Sequence, residues 1–127
     1  TCAPADHDAA VALISHLPVL VSAALLKAAD RGGEGALAAL VRGLASSGFA
    51  DTTRVGGGNP DLGTLMARHN REALLAALAL YRQEIAALEQ LVQDGDWPEL
   101  HHALLSTHEL RPAFFAPPEP APQELPG

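Results

Sequence analysis

The chain has 127 residues, 48% of them hydrophobic and 18% charged, a size that predicts one domain around one core. Eight Lys plus Arg against fifteen Asp plus Glu leave a net charge of −7, so the basic footprint needed for nucleic acid or an anionic membrane surface is missing and neither partner is expected. The lone Cys2 makes no internal disulfide and no basic stretch precedes an apolar one, which argues against a secreted disulfide scaffold or a signal peptide and for a cytoplasmic location.

Ala and Leu fill about a third of the chain and aromatic residues only 4%, a composition of helix formers that predicts an all-α fold. Asp6 and Asp8 stand before a nearly unbroken apolar run, Ala9 to Leu26. That run is long enough to raise a membrane span, but Ser15, His16, Pro18 and Ser22 interrupt it and neither flank carries a Lys/Arg cluster. A helix apolar on nearly every side needs cover on most faces, and a second subunit is the expected source. Within it Pro18 removes an amide donor and crowds the Ile14 carbonyl, predicting a kink beside His16.

Gly32, Gly33 and Gly35 form a turn before a second helix over roughly Ala36 to Ser46, with Leu37, Leu40, Val41 and Leu44 on one stripe. The following stretch from Phe49 to Pro60 reads as the least helical and most chemically varied part of the protein. Asn59 and Pro60 mark a helix start. Gly56, Gly57 and Gly58 before it would leave amides free to face an anion. Arg54 suits bidentate pairing with a carboxylate or phosphate, or equally a surface pair with Asp51.

A long helix follows from Asn70 to Gln93, with Leu74, Leu78, Tyr81, Ile85, Leu88 and Val92 forming a stripe that seeks a partner helix. Asp96 and Glu99 form a capping-box pattern for a last helix expected to end before Arg111-Pro112. From Pro112 to Gly127 the chain holds six of its ten prolines and reads as an extended or disordered tail. His101, His102 and His108 lack metal-ligand spacing, Cys2 lacks an activating neighbour, and Ser15 and His16 are adjacent on a helix and point apart, so neither a metal site nor a nucleophile is expected. No glycine pattern of a nucleotide-binding loop occurs. The residues alone point to a helical, dimeric domain with a carboxylate site built from His16, Arg54 and the glycine loop.

The ordered segments His7-Asp8, Val11-Ala-Leu-Ile-Ser-His-Leu-Pro, Ser46 through Gly63 with its Phe-Ala-Asp-Thr-Thr-Arg-Val-Gly-Gly-Gly-Asn-Pro core, and Asn70-Arg71 together resemble the C-terminal helical domain of the prephenate/arogenate dehydrogenases of tyrosine biosynthesis. The resemblance runs from about residue 5 to 112 and is nearest the cyanobacterial and plant-like arogenate branch. It implies the helical dimerisation domain that follows a Rossmann domain in 6-phosphogluconate dehydrogenase-like enzymes. Residues 1–112 would be that domain and 113–127 a tail, with the Rossmann domain absent from this chain.

The implied reaction is oxidative decarboxylation of arogenate to tyrosine, with NADP or NAD bound mainly by the missing domain, which also carries the proton-accepting histidine. Arg54 would grip a substrate carboxylate with Asp51 three positions before it, and His16 and the loop residues Gly57 and Gly58 would line the substrate cleft. No catalytic residue is assigned to this chain. Val19 and Gly63 stand where many prephenate-using relatives have His and Trp, which points away from prephenate. The alternatives are the helical domain of another β-hydroxyacid-type dehydrogenase and a free-standing helical assembly module.

Overall fold

A computed structural model describes residues 3–115, and the elements it contains are helices throughout. Cys2 and the tail beyond residue 115 lie outside the described residues. In order the elements are α1 (Pro4–Val11), a π-helical segment (Ala12–His16), α2 (Leu17–Gly32), α3 (Ala36–Leu44), α4 (Ser47–Thr53), a 3-10 turn (Val55–Gly57), α5 (Pro60–His69), α6 (Arg71–Asp94) and α7 (Trp97–Phe115).

The expected distortion at Pro18 takes the form of a π turn. Pro18 has no N–H to give the Ile14 carbonyl, and the segment before it widens so that the Leu17 N–H reaches back to the Ala12 carbonyl. The helical run Pro4–Gly32 is long and apolar enough to cross a membrane by length and composition. Two of its polar groups are nonetheless paired inside the protein. Ser22 is 1% exposed and its Oγ accepts the Gly56 N–H at 2.8 Å, while His16 meets Asn70.

Gly35 has φ 62°, a left-handed conformation that favours glycine, and so the turn into α3 depends on it. Arg42 on α3 pairs with Asp30 on α2 at 3.6 Å, but both side chains are largely exposed and the pair adds little. The stretch expected to be least helical is in fact α4 followed by a 3-10 turn. The Thr52 and Thr53 hydroxyls donate to the Gly48 and Phe49 carbonyls at 2.7 Å each, so both hydroxyls are satisfied within the helix by i−4 bonds. Asn59 caps α5 as expected, with Oδ1 accepting from the amides of Asp61 at 2.9 Å and Leu62 at 3.4 Å.

The chain divides into two compact units, 1–82 and 83–127, and α6 runs through the boundary. In the first, Ala12, Leu17, Leu74 and Ala77 are buried and Leu20, Val21, Ala67, Leu78 and Tyr81 pack on them. The front half of the α6 stripe therefore has its partner helix. In the second, none of the described residues is buried, and Ile85, Val92, Trp97, Leu104 and Leu110 all stand exposed. Asp96 Oδ1 accepts the Glu99 N–H at 3.3 Å, one half of the expected capping box.

Helix α7 does not stop before Arg111-Pro112. It continues through Pro112 to Phe115, with the Arg111 guanidinium 4.7 Å from the Phe115 ring centre, an i, i+4 contact that supports the last turn despite the missing amide. The first three residues assigned to the tail, 113–115, are thus helical.

The close approach of the glycine stretch to α2 gives a direct stability test. A Cβ on Gly56 would collide with Ala23 N, the Ser22 carbonyl carbon and Ser22 Oγ, all close-packed backbone or buried hydroxyl. Gly56→Ala should lower unfolding free energy by about 1–3 kcal/mol in chemical denaturation. Gly63→Ala, whose Cβ would make ordinary contact with Val19 Cγ1 at 3.6 Å inside a helix, should leave it unchanged or raise it by up to ~1 kcal/mol.

Candidate functional site

The polar residues of the first helical run and of the α5–α6 junction converge on one hollow of about 400 Å³, lined by His7, Asp8, Val11, His16, Leu65, Met66, His69 and Asn70. The widened π turn carries His16 into this hollow, where it is half-buried. Asn70 is the non-helical residue between α5 and α6, with φ −134°, and its amide N–H bonds back to Met66 O. Its side-chain nitrogen donates to the Asp8 main-chain carbonyl at 2.9 Å and lies 3.3 Å from His16 Nδ1. Two segments more than fifty residues apart are joined by one carboxamide.

A second hollow, about 330 Å³, lies between α2, the glycine stretch and α5, lined among others by Val19, Leu20, Val55, Gly56, Gly58, Pro60 and Gly63. Val19 and Gly63, the two departures from the prephenate-using pattern, face each other here: a Cβ on Gly63 would sit 3.6 Å from Val19 Cγ1. His and Trp at these positions would crowd the same space that Val and Gly leave open.

The remaining candidate residues are not gathered with His16. Arg54 and Asp51 are exposed at the end of α4, no ion pair joins them among the described residues, and neither lines the His16 hollow. The surface pair considered for them is therefore not formed. Gly57 faces Leu26, with its N–H donated to the Arg54 carbonyl at 3.3 Å, and Gly58 lines the second hollow.

The free amides expected of the glycine loop are largely spent. Gly56 N–H goes to Ser22 Oγ, Gly57 N–H to Arg54 O, the Asp61 and Leu62 N–H groups to Asn59 Oδ1, and Gly63 N–H to Asn59 O. An anion would have to displace these bonds, which is a correction to the anion-loop reading. It also means that these residues do not fit a dinucleotide phosphate cradle.

Sequence reasoning noted Asn70 only within the Asn70-Arg71 motif and Ser22 only as an interruption of the apolar run, and gave neither a role. A lone hydroxyl in an apolar helix requires a buried partner, and that signal was present at Ser22. Nothing local shows what Asn70 bonds, because its partners are 54 and 62 residues away.

Residues 3–106 match the family described as the dimerization domain of prephenate dehydrogenase. Among curated proteins, the prephenate dehydrogenase of Bacillus subtilis (strain 168) is 27% identical over 108 residues, covering 85% of this chain and 29% of that protein. Among solved structures, Synechocystis arogenate dehydrogenase superposes with a TM-score of 0.87 at 54% identity, covering 89% of this chain and 41% of the other. A putative prephenate dehydrogenase from Corynebacterium glutamicum gives 0.60 at 28% identity, with 81% and 34% covered. The chain thus spans under half the length of the relatives it matches. With α1 to α6 and the ordered motifs falling inside the matched region, the chain belongs to the prephenate dehydrogenase dimerization-domain family.

Proposed function

We propose that this chain is the dimerisation and substrate-closing domain of an arogenate dehydrogenase, which converts arogenate to tyrosine by oxidative decarboxylation. The reading is carried by the convergence of His7, Asp8, His16 and Asn70, widely separated motif residues, on one hollow, together with 54% identity to Synechocystis arogenate dehydrogenase. NADP or NAD supplies the hydride acceptor and in this reading is held by a separate Rossmann domain.

In this reading Arg54 grips a substrate carboxylate with Asp51 near it in sequence, and His16 from the first hollow and Gly57 and Gly58 from the glycine stretch face the substrate from separate places on the chain. The exposure of Arg54 leaves its guanidinium free to meet a ligand. Preference for arogenate over prephenate is supported by the open space at Val19 and Gly63, because arogenate carries an amino group where prephenate carries a keto group and needs a different set of neighbours. The exposed apolar residues of α3 and of the second unit, Leu40 and Leu44 as well as Val92 and Leu104, favour a homodimer. The acidic balance and the internal use of the polar groups of the first helical run favour a cytoplasmic domain without nucleic-acid or membrane partners.

Three measurements test this. Arg54→Ala, in the enzyme carrying both domains, should raise KM for arogenate about 10–100-fold through loss of one charge-assisted pair, and an unchanged KM removes the clamp. Val19→His combined with Gly63→Trp should lower the ratio of kcat/KM for arogenate over prephenate by about tenfold or more; a constant ratio shows that this hollow does not select substrate. Sedimentation of the chain should give a dimer, and a folded monomer at micromolar concentration would count against the homodimer.

A further inference from the structure

The hydrogen bonds at Asn70 determine which nitrogen of His16 carries the proton. The Asp8 main-chain oxygen can only accept, so the Asn70 atom facing it at 2.9 Å is the NH2 group; rotating the carboxamide would set oxygen against oxygen. The same NH2 group lies 3.3 Å from His16 Nδ1. Having only hydrogens to offer, it requires a lone pair on Nδ1, and the neutral ring must then hold its proton on Nε2.

The Asp8 carbonyl sits where the helix passes from α to π geometry. There the Ala12 N–H is shared between the Ala9 and Asp8 carbonyls, leaving Asp8 oxygen with room for a side-chain donor. The π turn thus serves both ends of the contact: it exposes the carbonyl that orients Asn70, and it carries the imidazole that Asn70 orients.

We infer that Asn70 is a positioning residue that locks His16 as the Nε2–H tautomer, so that the ring presents a fixed hydrogen-bond donor to an oxygen of the bound substrate. This rests on the proposed substrate reading for what the donor serves, but not for the lock itself. The other titratable groups around the hollow are His7, Asp8 and His69. The His7 and Asp8 side chains lie on α1, 4.0 Å from one another, and neither replaces Asn70 as the hydrogen-bond partner of His16 Nδ1.

The lock is tested without substrate by long-range proton–nitrogen NMR of histidine-labelled full-length enzyme at alkaline pH, with His16 assigned by substitution. Wild type should show Nε2 protonated and Nδ1 bare. Asn70→Ala should show both tautomers, and the isosteric Asn70→Asp, which can only accept, should move the proton to Nδ1. A wild-type ring protonated at Nδ1, or an unchanged tautomer in both variants, overturns the lock; the wild-type spectrum decides this even if a variant fails to fold.

In turnover, Asn70→Ala and Asn70→Asp should each lower kcat/KM for arogenate about tenfold or more. Altered tautomers with unchanged kcat/KM overturn the positioning role. An enzyme that turns over neither arogenate nor prephenate refutes the substrate reading instead, with the spectra still deciding the lock.

Discussion

The architecture of the site depends on a single missing hydrogen. Pro18 interrupts a helical run of 29 residues, Pro4–Gly32, at a point where the Ile14 carbonyl would otherwise receive an amide. The helix does not break, because Ala12 and Leu17 before the interruption and Leu20 and Val21 after it pack in one cluster with Leu74 and Ala77 of α6. It widens by one residue instead, and the π turn is the local form of that compromise between packing and backbone pairing.

From this widening follow the polar contacts that join distant segments. His16 sits on the wide turn and Asp8 just before it, and the short break between α5 and α6 brings Asn70 to both. One turn further along, Ser22 faces the glycine stretch so closely that Gly56 has no room for a side chain. A helical run long and apolar enough to cross a membrane is thereby held at two polar points to the rest of its unit, and each point uses a group that would be costly to bury unpaired.

The distribution of burial distinguishes the two units. In the first, α6 closes a small core with Leu74 and Ala77. In the second, the same helix continues its stripe with Ile85 and Val92 uncovered, alongside Trp97 and Leu104 of α7. The family is described as a dimerization domain, and large apolar side chains left in water are the kind of surface that gains by burial.

What the residues alone determine here is what short-range physics controls. The helical class follows from Ala and Leu content, the α5 start from Asn59 and Pro60, the turn into α3 from Gly35, and a distortion beside His16 from Pro18. Local rules misjudged α4 and the end of α7, which are helical although they carry turn formers and a proline. Three consecutive glycines are equivalent as letters; only the approach of α2 makes Gly56 the one that tolerates no side chain. The pairing of Asn70 with Asp8 and His16, and the facing of Val19 and Gly63, were likewise decided by tertiary structure, because each joins residues more than forty positions apart. No periodicity or spacing encodes such contacts; they exist once packing of the apolar faces has brought the segments together.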